Sequence, residues 1–161
     1  MNNVTEKIVV FRLAEDHFAA DVRAVERVLK YEPPRAVPNL PAWITGVVDY
    51  QQRVVPVVDL RRRFELPDAG MSEQARTLVL DSDGEWIGVV VDAVVEVAAI
   101  VSAELEPPPK YFRGLAGEYL RGLVRRGERL VIVLDPARLL SATERIVLER
   151  AAGAGSGAAH D

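Results

Sequence analysis

Val37-Pro-Asn-Leu-Pro-Ala-Trp-Ile-Thr-Gly-Val-Val-Asp-Tyr-Gln-Gln-Arg-Val-Val-Pro-Val-Val-Asp-Leu-Arg-Arg-Arg-Phe64 sets two β-branched runs on either side of a short polar turn. Pro38 and Pro41 hold an extended entry, because proline fixes its own φ and keeps its predecessor out of the helical region. Trp43, Ile44, Val47 and Val48 read as one strand and Arg53 to Leu60 as the next, with Gln51-Gln52 near the turn. Pro56 removes a ladder donor from the middle of its run, which places that strand at a sheet edge or a barrel seam. The stretch holds no nucleophile, metal-ligand set or phosphate loop; it reads as architecture for binding another protein.

The same pattern continues along the chain. Ile8 to Leu13 and His17 to Ala20 read as a hairpin around Glu15-Asp16, and Leu78 to Leu80 and Trp86 to Val91 as another around Asp83-Gly84, a pair that tolerates positive φ. Ala93 to Ile100 reads as a bent strand, and Leu120 to Val124 with Leu130 to Leu134 as a third hairpin around Arg126-Gly127. Many short strands at this spacing predict small barrels. Two helical pieces interrupt them. Val22, Val25, Val28 and Leu29 form one stripe over 22–30, opened by Asp21 as an N-cap. Ser141-Ala-Thr-Glu144 is a capping box before a C-terminal helix that stops at Gly153. Residues 1–152 are expected to form one domain and 153–161 a disordered tail. Ser102 to Lys110 reads as a rigid proline-rich crossover, and Glu65 to Gln74 as the most mobile internal loop.

Composition narrows the function classes. At 161 residues and 49% apolar content the chain can bury roughly 70% of its extended-chain surface without staples. It contains no cysteine, which removes disulfides, thiolate metal sites and thiol catalysis and fits a reducing cytoplasm. The N-terminal residues show no basic region followed by an apolar stretch, and no apolar run approaches the ~20 residues needed to span a bilayer, so neither a signal peptide nor membrane insertion is expected. A net charge of −4 does not favour polyanions.

Asp59 and Asp92 end apolar runs, where carboxylates more often cap turns than work as a catalytic pair. Asp81, Asp83 and Glu85 begin like a calcium loop but lack its closing glutamate, so the hairpin turn prevails. His17 and His160 sit on unrelated segments and make a poor metal set, and no cofactor is expected. Arg61-Arg62-Arg63 and the group Arg121, Arg125, Arg126 and Arg129 lack the interleaved aromatics of a nucleic-acid face, with Phe64 the single adjoining ring; they read as a solvated rim or a protein-protein salt contact.

Four segments together resemble the CheW family, the scaffold proteins that couple chemoreceptors to a histidine kinase. They are the quoted stretch, Phe11 to Val28 with its Asp-Val-x-x-Val-x-x-Val pattern, Ile87 to Val97, and Tyr119 to Leu140. Matches run in order from about Lys7 to Arg150. The resemblance implies a mainly β fold of two packed five-stranded SH3-like barrel lobes, with a short helix after the first hairpin and a C-terminal helix, and no enzymatic activity. It implies a cytoplasmic adaptor, monomeric in isolation, whose partners are the regulatory domain of a CheA-type histidine kinase and a chemoreceptor cytoplasmic tip. By match to the family, Val25, Arg27, Val28, Ile44 and Gly46 are the kinase-binding patch, for which plain core packing is the alternative at Val25, Val28 and Ile44. Gly46 tells more, because glycine weakens a strand unless backbone must approach closely or the strand bends.

Asp49, Tyr50, Gln51 and Arg53 border the expected receptor surface. The family turn commonly reads Asn-Leu-Arg-Gly, and here Gln51 replaces the arginine and Gln52 the glycine. The change removes a charged donor for receptor carboxylates. It opens the alternative of a kinase-only scaffold, or one serving a divergent pathway such as surface sensing, gliding or biofilm signalling. A small-barrel nucleic-acid binder is the competitor from another class.

Overall fold

The computed structural model describes residues 4–40, 44–63, 66, 70–108 and 119–139. Trp43, part of the 65–74 loop, the C-terminal helix expected after Ser141 and the tail lie outside the described residues. Among the described residues ten strands follow one another as β1 (Thr5–Leu13), β2 (Asp16–Asp21), β3 (Val25–Lys30), β4 (Ile44–Tyr50), β5 (Arg53–Asp59), β6 (Arg76–Ser82), β7 (Glu85–Val91), β8 (Ala93–Val101), β9 (Leu120–Arg126) and β10 (Arg129–Leu134), with a short helix, α1 (Leu60–Arg63), after β5 and a helical turn at 136–139 after β10.

The strands divide into two sheets of five. The first lobe has the order β8-β1-β2-β10-β9 and the second β3-β6-β7-β5-β4, each with one parallel pair among antiparallel neighbours. Each sheet curls shut. Arg35, beyond β3, exchanges backbone hydrogen bonds with Val47 of β4 at 2.8 and 2.9 Å, and Glu106, beyond β8, does the same with Leu123 of β9 at 2.7 and 2.8 Å. The chain leaves the first lobe after β2, builds the second, and returns at Asp92 between β7 and β8. The fold is therefore mainly β with paired five-stranded lobes, as the resemblance implied.

Three apolar clusters hold it. Ile8, Val10, Val124, Val131 and Val133 fill the first lobe, while Tyr50, Val55 and Val79 fill the second, with Leu29, Val48 and Trp86 packed against them. The largest lies between the lobes, where Phe11, Leu13, Phe18, Leu120 and Leu134 meet Val58, Leu78, Leu80, Ile87 and Val89. Phe11 and Phe18 stack there with centroids 6.2 Å apart. Strands β1, β6 and β7 thus bury both faces, which explains their unbroken apolar runs. Each such side chain taken fully from water contributes about 1.5–3 kcal/mol.

The segment after the first hairpin corrects the sequence reading. Asp21 does cap it, accepting from the Arg23 amide at 2.8 Å, but the helix is a single 3-10 turn, Val22–Ala24, and Val25–Lys30 is strand β3. A bulge between Val25 and Arg27 inserts one extra residue. That shifts the spacing of Val25 and Val28 from two to three and imitates a helical stripe. The first hairpin also turns one residue earlier, at Ala14-Glu15, since Leu13 pairs with Asp16.

The lobes are copies of one plan. Ile44-Thr-Gly-Val-Val through Val55-Pro-Val-Val-Asp59 recurs as Leu120-Arg-Gly-Leu-Val through Val131-Ile-Val-Leu-Asp135. Gly46 and Gly122 occupy the same place, at the closure. A Cβ on Gly46 would stand 2.0 Å from the Arg35 carbonyl oxygen, and one on Gly122 2.6 Å from that of Glu106. Gly46 also has φ +148°. Close backbone approach is what the glycine permits. Gly46→Ala is expected to lower unfolding free energy by about 3 kcal/mol, read from the urea midpoint; an unchanged midpoint would mean the closure does not form in solution.

Candidate docking faces on the second lobe

The nine residues matched to binding positions all fall on the second lobe, but they present different amounts of surface. Val28 is 41% exposed on β3 beside exposed Arg27, and Val25 is half-buried against the interlobe core. Ile44 is 4% exposed within that core, and Gly46 is covered by the Arg35 backbone. Neither offers a side chain to a partner; they set the position of β4 behind the patch. The exposed part of the first face is thus Arg27 and Val28, with Val25 at its margin.

The second face is the β4–β5 turn. Tyr50 pairs with Arg53, leaving Gln51-Gln52 as a two-residue turn with φ of 48° and 64°. Both positive angles are what a type I′ turn requires, and they are ordinarily supplied by asparagine or glycine. The Asp83-Gly84 turn beside it has the same signs, 52° and 86°. Gln51 donates from Nε2 to the Tyr50 hydroxyl at 3.3 Å, and Asp49 pairs with Arg35 at 3.2 Å on the surface. Arg53 donates from Nη2 to the Gly84 carbonyl at 2.6 Å, and its guanidinium carbon lies 3.7 Å from the centre of the Trp86 ring. Arg27 of the first face lies 5.8 Å over the ring of Tyr50 in the second. The two faces are therefore in physical contact. The sequence places Trp86 only at the start of its strand; an aromatic residue beside an Asp-Gly turn is the signal for a further role.

The remaining candidates are structural. Asp59 caps α1, accepting from the amides of Arg61 and Arg62 at 3.0 and 3.3 Å. Asp92, at the return between lobes, accepts from the Ala14 amide at 2.6 Å. Arg61 does not lie on a solvated rim. It is 3% exposed, with Nη1 3.2 Å from Asp92 and Nε 4.0 Å from Asp59. It joins the second lobe to the turn of the first through Asp92. A cleft of about 660 Å3 opens beside this group between the lobes, lined by Arg12, Glu15, Asp16, Met71, Ser72 and Asp92. Its Ser72 hydroxyl accepts from the Gln74 amide.

The second arginine group is likewise paired within the chain, Arg121 with Glu6, Arg125 with Glu106, and Arg126 and Arg129 with Glu96. The hydrogen bonds from Arg121 hold the Glu6 carboxyl below its ordinary value of 4.5. Burial, then the charges of Arg129 and Arg12, lowers His17 from 6.5.

Comparison with known proteins agrees with this geometry. The CheW-like domain profile matches residues 7–144, and the chain belongs to that family. It is 30% identical to Chemotaxis protein CheW of Klebsiella aerogenes over 92% of its own length and 90% of that protein's. It is 28% identical to Chemotaxis protein CheW of Treponema pallidum over 89% and 87%. The crystal structure of the scaffolding protein TtCheW from Thermoanaerobacter tengcongensis superposes with a TM-score of 0.76 at 30% identity, covering 81% of this chain and 84% of that one. No helix among the described residues is long and apolar enough to cross a membrane.

Replacing Arg61 by leucine would leave the buried Asp92 carboxylate without this guanidinium, while Asp59 keeps Arg62 at 3.5 Å. The expected loss is about 3–5 kcal/mol in chemical denaturation, and a loss under about 1 kcal/mol would show that the Asp59-Arg61-Asp92 group does not clasp the lobes.

Proposed function

We propose that this chain is a cytoplasmic, non-enzymatic adaptor that couples a chemoreceptor-type sensor to a CheA-type histidine kinase. The β3 face, with Arg27 and Val28 outward, Val25 at its margin and Ile44 and Gly46 behind, takes the kinase regulatory domain. The β4–β5 tip, with Asp49, Tyr50, Gln51 and Arg53, takes the receptor's cytoplasmic hairpin. One observation carries the reading: Arg27 of the first face lies over Tyr50 of the second. A partner that moves one of them disturbs the other directly, with no long path through the core.

The driving force on each face is burial of apolar area at roughly 25 cal/mol per Å2, offset by association entropy, so single contacts of micromolar strength gain through avidity in an assembly. Asp59, Asp92 and Arg61 are engaged in capping and an ion pair, which supports a structural role for that buried group. The pairing of Arg121, Arg125, Arg126 and Arg129 with carboxylates weighs against a nucleic-acid face. The Gln51-Gln52 turn favours a second reading, a scaffold that engages kinase without the standard receptor contact.

Titration calorimetry separates these readings. Val28→Arg is expected to weaken binding of the kinase regulatory domain by about tenfold or more without moving the unfolding midpoint. Unchanged binding would remove the β3 face from the account. Wild type that binds kinase but no receptor fragment would select the kinase-only scaffold.

A further inference from the structure

Two arginines break the pattern of internal charge pairing. Arg23 meets Asp21, Arg35 meets Asp49 and Arg121 meets Glu6, while Arg27 and Arg53 lie over aromatic rings. Arg12 of β1 and Arg76 of β6 do neither. Arg12 donates from Nη1 to the Ala14 carbonyl at 2.9 Å, and Arg76 from Nη1 to the carbonyls of Glu73 and Ala75 at 2.9 and 2.8 Å. Among the described residues neither guanidinium forms an ion pair, and Glu73 contributes its carbonyl, not its carboxylate. Neutral carbonyls hold these cations in place without cancelling their charge, and each fork keeps its Nε and Nη2 donors. Both side chains belong to half-buried residues. A charge partly withdrawn from water is unfavourable until an anion joins it.

The two arginines share one cleft. It measures about 550 Å3 and is lined by Arg12, Gln74, Arg76, Ala93, Val94 and Val95. The start of β6 and the loop before it form the wall on the second lobe, and β1 with the start of β8 the wall on the first. These lining residues include no carboxylate. A bulge in β8 makes Val95 the extra residue opposite Val10 and Phe11 and leaves it 39% exposed; bulges re-aim side chains in this way. Lys30, the cross-strand partner of Arg76, adds to the positive charge on that side. Glu15, Asp16 and Asp92 line the separate cleft that Arg12 also borders, and Asp92 is already engaged by Arg61 and the Ala14 amide.

We propose that the cleft between Arg12 and Arg76 is a carboxylate-binding site, whose ligand is a glutamate side chain of a docked polypeptide with an apolar neighbour resting on Val94 and Val95. The site uses no residue of either docking face and does not depend on their assignment. Guanidinium forks bind a carboxylate through paired N–H donors, and Gln74 supplies a further amide hydrogen. The apolar wall favours the aliphatic stem of glutamate over a fully hydrated ion such as phosphate.

The test titrates the full chain, at low salt, with two short end-blocked peptides and with inorganic phosphate. The peptides differ in one central residue, glutamate or glutamine, followed in both by leucine. By NMR titration the glutamate peptide should bind about tenfold more tightly than its glutamine counterpart. Arg12→Gln and Arg76→Gln should each remove that difference without lowering the unfolding midpoint, because no ion pair is lost. Arg125→Gln, which does break a pair with Glu106, should keep it. Bound carboxylate should also raise the pKa of His17, the cross-strand partner of Arg12, which burial and then the charges of Arg129 and Arg12 hold below 6.5. Equal affinity of wild type for the two peptides would overturn the proposal, as would a glutamate preference that survives both substitutions. Phosphate bound as tightly as the glutamate peptide would overturn the polypeptide ligand. Midpoints that fall sharply in both variants would assign the arginines to the fold instead.

Discussion

The apolar seam between the lobes is the constraint on which the rest of the structure depends. Neither barrel holds much interior by itself; the second is filled by Tyr50, Val55 and Val79 with a few half-buried neighbours. Small barrels of this size bury too little apolar area to be robust alone. The outward faces of β1, β2, β6 and β7 supply what is missing by burying Phe11, Phe18, Leu78, Leu80, Ile87 and Val89 against one another. Arg61 then adds direction, since its bond to Asp92 ties α1 of the second lobe to the strand junction whose carboxylate also holds the Ala14 turn of the first.

Rigidity of this kind is what a bridging protein needs. Closure of the second lobe at Gly46 fixes β3 against β4, so the Val28 surface and the Gln51 tip keep one mutual geometry. The repeat shows where the lobes part ways. Both carry a closure glycine and a helix-capping aspartate, yet the second has a proline beside its parallel pairing, where the first has Ile132, and an indole packed on its core. The departure from the shared plan falls at the candidate docking tip, where local rules are commonly broken for function.

Much of this was legible from residues. Asp83-Gly84 announced its hairpin because only certain residues accept positive φ, and Pro56 marked its strand for a sheet edge or a barrel seam because it lacks a donor; the strand lies inside its sheet, beside the parallel pairing of β5 with β7. Strand β3 was not legible, because the bulge at Glu26 turned an alternating pattern into a helical one. Arg61 was not legible either. Its burial depends on Asp92, far along the chain, and a run of three arginines in isolation looks solvated. The repeat of Ile44–Asp59 at Leu120–Asp135 was present in the letters, but the first lobe is assembled from both chain ends and hides the correspondence. Of the candidate site, the sequence indicated Val28, Tyr50 and Arg53, while Trp86 required the register of β5 against β7.

The central claim is that the seam makes the two lobes one unit. Differential scanning calorimetry tests it most directly. The account predicts a single transition whose calorimetric and van't Hoff enthalpies agree. Two separable transitions, or one lobe melting while the other keeps its near-ultraviolet dichroism, would contradict it.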